Sequence, residues 1–597
     1  MAEKHQRFSR LLMRFLVWRL KHISDNNFLL IVASVIGLTA GLAAVTLKTT
    51  VHYVQHLLQQ NLDLTKINYL YIVYPAVGII LTIMVRQFIV KDTPGHGITR
   101  ILRAISKTSS RIRKRYMMSN MLKSAITVGF GGSVGLEAPI VVTGSAIGSN
   151  FGQFFHLDYK KRTLLIGCGA AGAISAIFNS PIAGVIFAIE VILTEVKISK
   201  FIPILIASVS GQLVSIILLG EDVLFSFKIV DSFSANDTPY YILLGIVSGL
   251  ASLYFIRVTY FTEDLIHKIQ QPYGRAAIGG LALALIIFVF PPIYGEGYES
   301  ILSLLKGNEV KFFSGSFFYH MAEQQWVIVS VLFAIILAKP FATALTIGSG
   351  GSGGVFAPSL FMGGVTGFLF TRVVQIILPS SSISASNFTL VGMCGVMSGV
   401  LHAPLTAIFL IAEITGGYML FVPLMIVSAI SFTTISYFEK HSIYTKNLIE
   451  KGDLIQYDRD RIVLSLIDLK KIIEKDLLTI HPDATLGELV DLVKKSKRNI
   501  FPVVNEKNEL EGIVTLDDIR EMMFESDKRD KLIIKTLMSK PPAFVSPQEK
   551  MQSVMNKFEL TQAWNLPVID NGKYLGFVSK SRIFNAYRKK LIRQTKE

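Results

Sequence analysis

Apolar and polar positions divide the chain into two regimes. Eleven apolar stretches, at approximately 28–47, 69–90, 140–155, 163–193, 201–219, 240–259, 276–294, 326–346, 354–378, 389–413 and 419–437, are joined by short polar connections. Several are shorter than the ~20 residues needed to cross the hydrocarbon core of a bilayer, and several longer ones are interrupted by Gly and Pro. Broken helices are tolerated at membrane depth only where their ends are buried in protein or line a cavity. The pattern therefore predicts an all-α polytopic membrane domain with broken helices. A soluble helical core is the alternative, and so many long apolar stretches argue against it. From Glu474 onward, short β-rich runs alternate with amphipathic helices, as in an ordinary soluble α/β module.

These shifts predict boundaries. A polar N-terminal segment spans 1–27 and a membrane domain 28–445, with halves at about 28–230 and 238–445. A charged linker covers 446–474, and two small α/β units cover 475–527 and 535–592. Hydrophobic residues make up 51% of the 597 and charged residues 17%, against about 25% charged in a typical soluble protein. The net charge of +17 first suggests nucleic acid. The basic residues, however, cluster where membrane topology places them. Arg7, Arg10, Arg14, Arg19 and Lys21 precede the first apolar stretch, and Lys107, Arg111, Arg113, Lys114 and Arg115 fill one loop. Excess Lys and Arg mark the cytoplasmic side, so the N-terminus and that loop are expected inside. No basic groove interleaved with aromatic residues is present, which argues against a nucleic-acid partner. Cys168 and Cys394 read as small buried residues without a disulfide or metal role. The first twenty-odd residues do not read as a cleavable signal.

The membrane region contains a repeat. Gly131-Gly132-Ser133-Val134-Gly135-Leu136-Glu137-Ala138-Pro139 matches Gly350-Gly351-Ser352-Gly353-Gly354-Val355-Phe356-Ala357-Pro358 at six of nine positions. Cys168-Gly169 and Cys394-Gly395 each introduce a predicted Pro-to-Glu helix, Pro181–Glu190 and Pro404–Glu413. The copies lie 219 residues apart for the first motif and 223 for the second. Nearly constant offsets mean two homologous halves. Gly/Pro-interrupted segments at equivalent places in two halves point to a transport site.

The chemistry follows from the loops. Gly-rich loops that open helices aim free N–H groups and a positive dipole end at one point, which suits an anion without Lys or Arg. Pro139 and Pro358 fit the first helical turn, where a missing N–H costs nothing. Pro94-Gly95-His96-Gly97-Ile98 is a third candidate loop. The alternative is that these glycines only permit tight helix packing. No Gly-Lys-Ser/Thr follows either loop, so neither is a phosphate-binding P-loop. No metal-ligand cluster or nucleophile–base pair is evident, and nothing argues for an enzyme. Glu137 is a carboxylate where charge is expensive. At a helix N-terminus it can occupy the amide-lined anion site, and protonation would release it. It reads as a gate, with a paired or helix-capping carboxylate as the alternative. Glu190 and Glu413 read as buried, hydrogen-bonded carboxylates near helix ends.

These motifs resemble the CLC family of chloride channels and proton-coupled chloride antiporters. Gly135-Leu136-Glu137-Ala138-Pro139 is similar to its G-x-E-G-P gate motif, and Gly354-Val355-Phe356-Ala357-Pro358 to its G-x-F-x-P motif. Ser442-Ile443-Tyr444 resembles the segment that supplies a pore-lining tyrosine, and the tail resembles paired CBS domains. The resemblance implies two inverted-topology halves and a homodimer with one pore per subunit. It places both termini and the CBS tail in the cytoplasm, in a bacterial inner membrane or a plasma membrane. Chloride would be the substrate, with protons as a second candidate and no required cofactor. Anions would be held at Gly95, His96, Gly97, Gly135, Leu136, Val355, Phe356 and Tyr444, with Glu137 as gate.

Three positions depart from the family pattern. His96 stands where a serine is usual, and would add pH dependence if protonated or simply turn to a carbonyl. Val191 stands where antiporters commonly carry a proton-transfer glutamate, so the expectation leans towards a passive chloride channel, with voltage dependence left open. Antiport by another internal route is the alternative, and Glu195 is near enough to be considered. Ala138 replaces a glycine. A CBS-regulated cation transporter or a non-conducting sensor is the reading from another class. In the tail, Thr515 and Asp518 fit the pattern by which CBS domains hold the ribose of ATP, ADP or AMP. The second copy, Ser579 and Arg582, loses the acid, so a packing unit without nucleotide stays open beside one nucleotide site.

Overall fold

A computed structural model describes residues 14–59, 70–91, 97–193, 201–220, 233–319, 324–450, 464 and 467–596. Gly95, His96 and Glu195 lie outside the described residues. The chain forms two units, Met1–Leu454 and Ile455–Glu597. The first is helical. Among the described residues, nine of its helices are long and apolar enough to cross a membrane.

The helices break inside two of the long apolar runs, at a polar residue two positions before a proline. The apolar run 163–193 is cut at Asn179, whose left-handed φ of 55° ends the Tyr159–Phe178 helix before Pro181 opens the next. The run 389–413 is cut at His402, with a φ of 53°, between Ala385–Leu401 and Pro404–Ile414. The two ends are built alike: Asn179 N–H reaches Ser175 O, and His402 N–H reaches Ser398 O. Two less hydrophobic helices do not stand out in hydropathy: Gly97–Lys107 is amphipathic and buries only Ile98, Ile101, Leu102 and Ala104, whereas Tyr116–Gly129 buries polar residues such as Ser119, Asn120 and Lys123.

Each half contains a tightly packed helix pair. Glu137–Phe154 lies against Tyr159–Phe178, and Phe356–Ile377 against Ala385–Leu401. A methyl group at Gly144 would overlap the backbone of Gly169, and one at Gly363 would overlap the backbone of Gly392. Glycine is needed at both crossings because the helix backbones touch there. These residues are separated by the same 219 and 223 positions as the sequence repeat.

The halves also cap one another. Glu190 accepts hydrogen bonds from Leu405 N (3.2 Å), Thr406 N (2.8 Å) and Thr406 Oγ1 (2.6 Å) at the start of Pro404–Ile414. Glu413 accepts from Ile182 N (3.0 Å) and Ala183 N (2.9 Å) at the start of Pro181–Phe187. Each carboxylate satisfies amides that a helix start leaves without an intrahelical partner. Both are the hydrogen-bonded structural acids expected from the sequence.

The second unit repeats one motif. Ile500–Val504 pairs antiparallel with Leu510–Thr515, and Asn565–Asp570 with Lys573–Ser579, each with one register irregularity. Leu486, Leu489, Val490, Phe501 and Val514 fill one core, while Val545, Val554, Phe558, Leu566 and Val578 fill the other. Ile467, Leu469 and Ile472, within the stretch read as a linker, join the second core.

Candidate functional site

The two Gly-rich loops meet. Gly135 N–H donates to Gly354 O, and Gly354 N–H donates to Gly135 O, both at 2.9 Å. The loops also exchange caps: Ser133 N donates to Thr346 Oγ1 (3.2 Å) and Ser352 N to Thr127 Oγ1 (3.0 Å). Gly131 and Gly350 have φ of 88° and 113°, the left-handed turn that makes glycine necessary at the head of each motif. The Glu137–Phe154 and Phe356–Ile377 helices therefore start beside one another, with their free amides directed into one place.

Glu137 is 1% exposed. Its Oε1 accepts a 2.5 Å hydrogen bond from Tyr298 Oη. Oε2 lies over Gly135 so closely that a methyl there would overlap it. The amides of Glu137 and Ala357 face the carboxylate. The side chain thus sits at the loop junction itself, as a gate would. Leu136 N donates to Glu296 Oε1 at 3.1 Å. Phe356, at the equivalent position of the other loop, is fully buried with its ring centroid 5.3 Å from Phe178 and 6.3 Å from Phe187.

A cavity of about 30 Å³ lies beside the junction, lined in part by Gly97, Gly354, Val355, Glu263 and Tyr444. One water needs ~10–15 Å³, so there is room for a small anion or a water. Tyr444 is 6% exposed, and its Oη has no hydrogen-bond partner among the described residues. Thr99 Oγ1 bonds to Tyr444 O (3.0 Å) and Tyr260 Oη to Ile443 O (2.8 Å), fixing the segment that carries the phenol. An unpaired buried hydroxyl is costly, and an anion in the cavity is a partner it could take.

Of the residues named from the sequence, Gly97, Val355 and Tyr444 share this cavity, while Gly135, Leu136, Glu137 and Phe356 form the junction beside it. Gly95 and His96 fall outside the described residues. Val191 lies one residue before the end of the Pro181–Ile192 segment, next to the acid that caps the other half. Three residues at the junction were not singled out from the sequence. Glu296 and Tyr298 belong to one turn. Lys339 is fully buried, and its Nζ donates to Ser133 Oγ (2.9 Å) beneath the first loop. Each carried a signal: Lys339 is a charge inside an apolar helix, and Gly295-Glu296-Gly297 is another acid in a Gly-rich turn. In the tail, Thr515 Oγ1 accepts from Asp518 N (3.3 Å), and Asp518 Oδ2 accepts from Thr515 N and Thr515 Oγ1 at 2.7 Å each. The two candidate ribose-binding residues thus form a capping box.

Two related membrane halves that share an amide-lined junction define a polytopic transport protein. The chain belongs to the CLC family: the voltage gated chloride channel model matches residues 77–436. CBS domain models match 469–525 and 534–589. The chloride channel protein CLC-f of Arabidopsis thaliana is 28% identical over 487 residues, covering 72% of this chain and 61% of that relative. The chain thus spans about three fifths of CLC-f's length. The H(+)/Cl(-) exchange transporter ClcA of Yersinia pestis bv. Antiqua (strain Angola) is 29% identical over 422 residues, covering 69% and 84%. A slow cyanobacterial Cl-/H+ antiporter superposes with a TM-score of 0.61 at 21% identity, covering 73% of this chain and all of that one. A eukaryotic CLC transporter gives 0.60 at 19%, covering 93% and 97%. These structural likenesses establish the fold. By name, the relatives include both a channel and an exchanger.

Proposed function

We propose that the chain moves chloride across a membrane through an amide-lined pore gated by Glu137. The carrying observation is the buried Glu137 carboxylate at the junction of the two loops, bonded to the Tyr298 hydroxyl and faced by the amides of Glu137 and Ala357. Deprotonated, it fills the place an anion would take. Protonated, it loses its attraction for the amides and leaves. Gly97, Val355, Phe356 and Tyr444 bound the anion's path, and Gly95 and His96, candidates from the sequence, immediately precede Gly97 in the chain. Conduction is passive, because valine at position 191 cannot carry a proton. The family likeness supports a homodimer with a cytoplasmic tail, and the Thr515–Asp518 pair is the candidate site for ATP, ADP or AMP.

Proton-coupled exchange is the second reading, and one observation favours it. Glu263, 5% exposed, lines the inner cavity together with Tyr444 and is a candidate proton carrier on another route. Reversal potentials of the reconstituted protein under opposed chloride and pH gradients separate the two. A potential fixed by chloride alone is expected. A shift with pH at constant chloride that disappears in Glu263→Gln would establish exchange instead. Calorimetry of the full-length protein with the three nucleotides tests the tail, and no heat from any of them removes the nucleotide site.

A further inference from the structure

The turn Gly295-Glu296-Gly297-Tyr298 brings two side chains to the gate from outside both repeated loops. Tyr298 Oη donates to Glu137 Oε1 at 2.5 Å, and Glu296 Oε1 accepts from Leu136 N at 3.1 Å. The turn is locked to the gate loop. Gly295 N donates to Gly131 O at 3.2 Å, and Gly131 packs so closely on the Tyr294 ring that a methyl would overlap it. Gly297 has a φ of 83° and lies against the Phe361 ring. Gly295, with a φ of 59°, completes a turn whose shape leaves its two long side chains little choice of direction.

We propose that Tyr298 and Glu296 are positioning residues of the gate: Tyr298 latches the Glu137 carboxylate in the closed place, and Glu296 engages the Leu136 amide as a second carboxylate at the same junction. The proposal rests on the reading of Glu137 as gate. A phenolic O–H favours the ionised form of the carboxylate it bonds to. A neighbouring negative charge disfavours that form. The two residues therefore pull the gate in opposite directions. Among the described residues, few other charged or titratable groups face the pair. Lys48 and Lys339 face Glu296, Tyr444 faces Glu137, and His52 and Glu299 lie beyond, around Lys48.

The test is chloride efflux from liposomes holding the full-length protein, followed as a function of pH. Tyr298→Phe removes one oxygen and keeps the ring. It is expected to raise efflux at neutral pH and move the midpoint of acid activation to higher pH by about one unit, the size of one charge-assisted hydrogen bond. Glu296→Gln keeps an acceptor for Leu136 N–H and loses the charge, so its midpoint is expected to move to lower pH. In a Glu137→Gln background neither change shifts the profile. An unmoved midpoint in Tyr298→Phe overturns the proposal, even if efflux falls at every pH. Shifts of the same sign in the two variants also overturn it. Should Glu296→Gln fail to fold, Tyr298→Phe decides alone. A Glu137→Gln protein that keeps the wild-type pH dependence is a different outcome, because it removes the gate itself.

Discussion

The loops at 131–139 and 350–358 share a backbone and differ at one consequential side chain. Both turn on a left-handed glycine, both take an amide cap from a threonine of the other half, and they pair through Gly135 and Gly354. One loop then presents Glu137 and the other Phe356. Phe356 packs among aromatic rings, with no hydrogen-bonding chemistry to offer. Glu137 is held by a hydroxyl from a third segment. In the mechanism proposed above, the symmetric part builds a place for an anion and the asymmetric part decides when that place is free, so binding and gating would be separable by mutation.

The largest expected effect comes from breaking the shared backbone. Gly354→Val would place a side chain against Ala138, whose Cβ lies 2.6 Å from the position of an added Cβ. No folded protein is expected by gel filtration in detergent, since overpacking of this kind forces the backbone apart. Phe356→Ala removes the aromatic partner and should destabilise the membrane domain by about 3–5 kcal/mol, seen as a lower melting temperature in detergent. If the melting temperature held, Phe356 would not be the packing counterpart of Glu137. The smallest structural effect tests the symmetry. Thr127→Val and Thr346→Val each leave one loop amide without its acceptor and should cost about 1–2 kcal/mol apiece. Similar losses from both are expected. A large effect from only one would mean that the reciprocal capping is geometric without being energetically paired.

Much of this was legible from residue order. The constant repeat offset located both loops, and the Pro-to-Glu repeat marked Glu190 and Glu413 as hydrogen-bonded carboxylates near helix ends, although the exchange of caps between the halves appears only in the fold. Averaged hydropathy runs through the breaks at Asn179 and His402, because these turns are only a few residues long and flanked by apolar helices; Pro181 and Pro404 are the local signals of the helix starts that follow. Tyr298, Glu296 and Lys339 escaped motif reading for another reason. They reach the junction from segments about 160 and 200 residues downstream of Glu137, a proximity that only the packed fold creates. The capping box of Thr515 and Asp518 shows the converse, because a pattern matched to a ligand also satisfies a helix start.

In the proposed mechanism, one ionisable side chain closes a site built from two equivalent loops. Chloride efflux from liposomes containing Glu137→Gln, measured between acid and neutral pH, tests it most directly. Glutamine keeps the size of the side chain but carries no charge to hold it at the amides. Efflux at neutral pH should rise to the acid-activated level and lose its pH dependence. Efflux that stays low at neutral pH and still rises on acidification would contradict the assignment of Glu137 as the gate.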